Sequence, residues 1–201
     1  ANEKLGTHAH IQTSDGSMQE GEVEMIVKED KDYFKALKRT KLVLHTKQPM
    51  PFSQYLECLP DWLRERKGKS ILFVSNTVRC SLSLFDHLLT LKGEDRDFKD
   101  LKLFYLSGNV APVHRLKRFQ EIKQAVSTNS HSWLVVVSTQ CIEAGVDIDM
   151  DEIVRDFAPW DSIMQVCGRA NRFGSKKEAA VWLYRWVDDL SNRSREFHSY
   201  I

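Results

Sequence analysis

No apolar run in these 201 residues approaches the roughly 20 needed to span a bilayer, so a membrane-embedded chain is excluded. The opening Ala1-Asn2-Glu3-Lys4 has no apolar segment behind it and does not read as a secretory signal. Cysteine is scarce: Cys58, Cys80, Cys141 and Cys167 lie far apart and form no C-x-x-C pair. Structural zinc is therefore not expected, and neither is a disulfide-stapled secreted domain at this size. Reduced thiols in a cytoplasmic protein are the simpler reading. Excess charge is missing too, since 29 Lys and Arg stand against 28 Asp and Glu. A nucleic-acid partner is thus not announced by charge, and any contact must come from locally placed N–H, hydroxyl and Arg groups.

What remains is an ordinary globular composition, 42% apolar and 28% charged, of a length suited to one domain with an appended segment. The chain divides near residue 42. Residues 1–24 are polar and aperiodic, read as loop, with a weak strand around Val23–Val27. Residues 29–40 are charge-dense, with Tyr33, Phe34 and Leu37 at helical spacing, and suit a solvated helix or linker. From Leu42 onward apolar strands alternate with amphipathic helices. Strands are expected at Leu42–Leu44, Ile71–Val74, Leu101–Leu106, Trp133–Val137, Ile153–Phe157 and Ala179–Trp186. Helices are expected after the Pro49/Pro51 pair, over Thr77–Lys92, Pro112–Val126 and Ser162–Ala170, with a short turn at Cys141–Ala144. This rhythm predicts an α/β fold with a mainly parallel sheet covered by helices on both faces. Ligands of such sheets gather at the carboxyl ends of the strands.

Two segments carry the chemistry. The first is Gln165-Val166-Cys167-Gly168-Arg169-Ala170-Asn171-Arg172-Phe173-Gly174. Arg169 and Arg172, three apart, would share a helix face and reach one target, and two permanently charged forks suit a triphosphate. Arg-x-x-Arg alone is more often an exposed basic helix end; the surrounding glycines and Gln165 make that reading a minor contender here. The second is Val136-Val137-Ser138-Thr139-Gln140-Cys141-Ile142-Glu143-Ala144-Gly145-Val146-Asp147. Ser138 and Thr139 follow a buried strand at a helix start, where N–H and hydroxyl groups bind phosphate, although an ordinary N-cap is the commoner role. Asp147, Asp149 and Asp151 alternate, but three carboxylates without a fourth ligand more often make a solvated turn, so no metal is assigned. Of five tryptophans, Trp133, Trp182 and Trp186 sit in apolar strands and are read as core, leaving Trp160 as the functional candidate.

Ser-Thr-Gln-x-x-Glu-x-Gly-Val-Asp-Ile-Asp and Gln-x-x-Gly-Arg-x-Asn-Arg-x-Gly resemble motifs V and VI of superfamily-two helicases. Glu143, Asp149, Asn171 and the intervening Asp156-Phe157-Ala158-Pro159-Trp160-Asp161-Ser162 resemble one branch, the CRISPR-associated type I interference helicase usually coupled to an HD-type nuclease. Phe73-Val74-Ser75-Asn76-Thr77-Val78 is similar to its motif IV, and Leu106-Ser107-Gly108 with His114-Arg115 to the next segment. Cys80, Ser81 and Ser107 depart from the residues common in that family. The resemblance implies the second RecA-like lobe, residues 42–201, after an interlobe connection or insertion over 1–41. It further implies that Arg169 and Arg172 act as arginine fingers on ATP, with Gln165, Gly145 and Asp147 around the nucleotide. Ser138, Thr139, Asn76, Thr77, Gly108 and Arg115 would meet the nucleic-acid backbone. Implied partners are the first lobe, single-stranded DNA, a nuclease module fused or separate, and an RNA-guided surveillance complex.

The Walker motifs are absent. Gly68-Lys69-Ser70 has Leu63 where a P-loop begins and precedes a strand, and Asp151-Glu152 stands before its strand instead of after it. ATP and Mg2+ would be held mainly by the first lobe, and these residues alone would not turn ATP over. The His8-Ala9-His10 pair lies in a polar tail without partners. Another superfamily-two motor, such as an RNA helicase, and a degenerate RecA-like scaffold stay open as alternatives.

Overall fold

The computed structural model describes residues 8–12, 18–22, 39–128, 133–143, 147–174 and 177–189. Two units separate, residues 1–38 and residues 39–201. In the first, β1 (His8–Gln12) pairs antiparallel with β2 (Met18–Glu22), His10 opposite Glu20. A loop is expected there from the aperiodic side chains; the regularity comes instead from backbone pairing, which polar residues do not advertise. The strand expected around Val23–Val27 and the helix or linker expected from residue 29 to 38 lie outside the described residues.

The second unit runs β3 (Thr40–Pro51), α1 (Phe52–Arg64), β4 (Ser70–Val74), α2 (Val78–Glu94), β5 (Lys102–Leu106), α3 (Pro112–Thr128), β6 (Leu134–Ser138), β7 (Glu152–Asp156), α4 (Trp160–Cys167) and β8 (Ala179–Val187). Its six strands pair in parallel, in the order β3-β8-β7-β4-β6-β5. Ile71 and Phe73 of β4 pack with α1 and α2, whereas Leu72 and Val74 pack with α3 and α4. Both faces of the strand are thus covered, which is why it reads as an uninterrupted apolar run. Helix α1 presents Phe52, Tyr55, Leu59 and Leu63 to this core, and burying such a side chain contributes about 1.5–3 kcal/mol. Pro60 does not interrupt α1. It has no N–H to give the Leu56 carbonyl.

The amino ends of the strands are locked by a buried carboxylate. Glu152 receives Arg66 Nε and Trp182 Nε1 at 2.9 and 2.8 Å and is paired with Lys69 Nζ. The Arg66 guanidinium lies 3.8 Å from the Trp62 ring centroid. Burial alone would raise the Glu152 carboxyl, but these donors hold it below its ordinary value. Next to it, Asp151 accepts the Ser70 N–H at 2.7 Å. Both segments that imitate Walker motifs therefore meet each other at the end of the sheet away from the candidate site. Gly68 sits at φ 83, in the left-handed region that a residue bearing Cβ rarely adopts.

Candidate functional site

At the carboxyl edge the chain leaves β4 for β5 on one side, and leaves β7 for β8 on the other. The crevice at such a switch of direction is where open α/β sheets bind ligands. Here it is filled by a polar network built on Arg155, only 1% exposed near the end of β7. Its Nη1 donates to Asn76 Oδ1 at 2.6 Å and to the Val74 carbonyl at 3.3 Å. Its Nη2 donates to Glu143 Oε1 at 3.0 Å and to Ser162 Oγ at 2.9 Å, and the Ser162 hydroxyl donates to the same Glu143 oxygen at 2.8 Å. Asn76 Nδ2 reaches the Phe157 carbonyl at 2.7 Å, and Gln140 Nε2 reaches the Asn76 carbonyl at 2.9 Å. Burial pulls Arg155 down from its ordinary value, opposed by Glu143 and Asp156; an arginine so lowered still carries its charge. Burial likewise pushes the neighbouring Asp156 carboxyl up, against backbone donors from Trp186 and Asn76.

Beside this network lie the two arginines singled out by sequence. Helix α4 ends at Cys167, earlier than expected, so Arg169 and Arg172 stand on the following turn and not on one helix face. The cause is a contact from outside the helix: Met150 and Ala170 form a parallel bridge, and Asn171 adopts φ 47, which breaks the helical path. Both arginines are nonetheless within electrostatic reach of Asp147. Arg172 Nε lies 2.9 Å from Asp147 Oδ1, and the Arg172 N–H donates to Asp149 Oδ1 at 2.7 Å. Arg169 Nη2 donates to the Glu143 carbonyl at 3.0 Å, while its buried Nε has no partner among the described residues. Burial lowers the Arg169 group from its ordinary value, Arg172 lowers it further, and Asp147 opposes both. Lys123 of α3 also reaches Asp147, at 3.5 Å.

The remaining expected residues fall into three groups. Gln165, Thr77 and Gly108 are exposed, and Arg115 is half-buried on α3. A side chain added at Gly108 would meet nothing within 4 Å, so this strand end is open to a partner. Others are engaged within the chain. Thr77 caps α2, its hydroxyl accepting the Cys80 N–H at 3.1 Å, and the Asn76 side chain is held as described. Ser138 is fully buried, its hydroxyl donating to the Thr139 carbonyl at 2.9 Å, and Thr139 is buried beside it. The helix start expected after them is a single 3-10 turn, Gln140–Ile142, without a side-chain cap. Gly145 lies outside the described residues. Trp160 is 62% exposed, next to exposed Phe157 and, one helical turn on, Met164; Trp133 is buried, and Trp182 and Trp186 pack against the core.

Sequence reasoning missed Arg155 and Ser162. The available signal was an arginine directly after the apolar pair Ile153-Val154 in a strand expected to be buried.

Residues 67–175, more than half of the chain, match the family described as CRISPR-associated nuclease/helicase Cas3, C-terminal. The chain belongs to that family. It is 58% identical over 73 residues, 36% of its length, to a CRISPR-associated nuclease/helicase Cas3 of Haloferax volcanii. It is 30% identical over 111 residues, 55% of its length, to one of Methanothermobacter thermautotrophicus. These matches span 8% and 12% of the two relatives, so the chain corresponds to a small part of each. The crystal structure of T. fusca Cas3 superposes with TM-score 0.58 at 20% identity, over 74% of this chain and 19% of that one. The fold is therefore shared with the C-terminal RecA-like lobe of a Cas3 helicase. No helix of the described residues is long and apolar enough to cross a membrane.

Proposed function

We propose that this chain is the second motor lobe of an ATP-driven single-stranded DNA translocase that unwinds and helps degrade invading DNA in CRISPR interference. The observation that carries this reading is that Asp147, at the carboxyl edge of the sheet, pairs with Arg172 and also acts on the charge of Arg169. Two guanidinia within electrostatic reach of one carboxylate, one with a buried Nε lacking a partner among the described residues, fit the spread negative charge of a triphosphate. ATP hydrolysis would supply the energy for movement. Within this lobe Arg169 and Arg172 would stabilise the transferring phosphoryl group, and Gln165 and Asp147 would border the nucleotide. Arg172 is kept beside the site by Asp147 in the meantime. The nucleotide's main cradle and its Mg2+ would belong to a first RecA-like lobe. The open strand ends at Thr77 and Gly108, with Arg115, would guide the DNA backbone, which positions a strand without reading its sequence. An HD-type nuclease module and an RNA-guided surveillance complex would be partners of the whole cytoplasmic protein.

The test is the ATPase rate of the full-length protein with single-stranded DNA, with RNA and with neither. Stimulation by DNA alone is expected, and Arg172→Ala should lower the stimulated rate by about 10³-fold or more. These 201 residues by themselves should show negligible turnover. Stimulation by RNA would point to a different helicase branch, and full ATPase in Arg172→Ala to a scaffold role for this lobe.

A further inference from the structure

We infer that Arg155 is a positioning residue that couples the strand-binding edge to the arginine at the nucleotide. This rests on the translocase reading above. The path is continuous. Asn76, at the carboxyl end of β4, accepts the Arg155 Nη1 N–H on its side-chain oxygen at 2.6 Å. The other nitrogen, Nη2, fixes Glu143 and Ser162 at 3.0 and 2.9 Å. Glu143 in turn accepts the Arg169 Nη2 N–H on its backbone carbonyl, again at 3.0 Å. A displacement of the β4 end by a bound strand is thereby carried through one rigid guanidinium to the group that would touch phosphate.

Stability alone does not account for the arrangement. A buried ion pair is often no better than well-packed apolar side chains of the same volume, because two charges must be stripped of water. In a strand whose preceding residues are Ile153 and Val154, an apolar residue at 155 would close the crevice as well. It would not connect three separate segments. The planar fork matters, since only arginine can hold Asn76 and Glu143 on different nitrogens in a fixed geometry; lysine is a single point charge.

Linkage supplies the measurement: if ATP and DNA binding are coupled, each tightens the other by the same factor. Single-stranded DNA affinity is measured for the full-length protein with and without a non-hydrolysable ATP analogue. The ratio of the two is the coupling factor. Arg155→Lys, Ser162→Ala and Glu143→Gln are compared with the unsubstituted protein, with thermal unfolding followed alongside. The coupling factor should fall by about 2- to 30-fold in Arg155→Lys, and in the same direction but less in Ser162→Ala. DNA-stimulated turnover should fall with it while the KM for ATP changes little. A merely structural arginine would lower the unfolding temperature and leave the ratio unmoved, and that result in the folded variants overturns the inference. Should Arg155→Lys fail to fold, Ser162→Ala decides, since it removes one neutral partner and no charge. An unsubstituted protein with no DNA-stimulated ATPase would instead refute the translocase reading itself.

Discussion

Replacing Glu152 by Gln tests whether the amino-end lock is as strong as its geometry implies. The carboxylate side chain is 8% exposed and faces two cations, Arg66 at 12% and Lys69 at 44% exposure. Removing one charge of a buried pair costs roughly 3–5 kcal/mol, because the other is left in low dielectric without a counter-ion. Two features place this site at the lower end. Lys69 can turn to solvent, and glutamine keeps the shape and one acceptor for Trp182 Nε1. A loss of about 3 kcal/mol at neutral pH is therefore expected. With a urea slope of about 2 kcal/mol/M, the unfolding midpoint should drop by roughly 1.5 M. The pH dependence adds a second check. The folded carboxyl is held below the ordinary glutamate value of 4.5, so its stabilisation is present above that value. It is lost as pH falls through the lower folded value. The gap between the native and Glu152→Gln proteins should be flat near neutrality and should close on acidification. A midpoint shift under about 0.3 M at pH 7, or a gap that widens in acid, would refute the reasoning.

Thr77→Ala should destabilise by about 1 kcal/mol through loss of the α2 cap, and Thr77→Asn should restore it; urea unfolding of both variants checks this. Retained strand affinity of the full-length Thr77→Asn protein would confine Thr77 to capping, whereas a loss there would add a DNA contact. Trp160→Ala should leave stability within about 0.5 kcal/mol, since the ring is largely in solvent. If the indole stacks on a base, the same change should weaken single-strand binding by about 1–3 kcal/mol, read by fluorescence anisotropy of a labelled oligonucleotide. Unchanged affinity would take Trp160 out of the strand path.

The central strands β4 and β6 were legible because burial on both faces leaves almost only apolar residues, as in Ile71-Leu72-Phe73-Val74, whereas β3, with no buried residue, runs from Thr40 to Pro51 where only Leu42–Leu44 is expected. Amphipathic spacing located α1 and α2 for the same reason, and Thr77 marked the start of α2 as a cap should. Boundaries set by long-range contacts were not legible. The end of α4 is decided by the bridge from Ala170 to Met150, 20 positions back in the chain, and by the left-handed Asn171. The motif residues were found, but whether a given hydroxyl faces outward was not. Ser138 and Thr139 carry the same groups as an exposed phosphate site, yet the parallel neighbours β4 and β5 bury the end of β6. The same physics explains why Arg155 escaped notice. A charged residue inside a strand covered on both faces contradicts the pattern that identifies the strand, so periodicity treats it as noise. Read for cost, it is the opposite. An arginine held 1% exposed at a switch of chain direction needs several partners, and those partners, Asn76, Glu143 and Ser162, come from three different motif segments. Local sequence rules tend to fail where function sets the residue. The misfit at position 155 therefore points to the part of this lobe where the segments must move together.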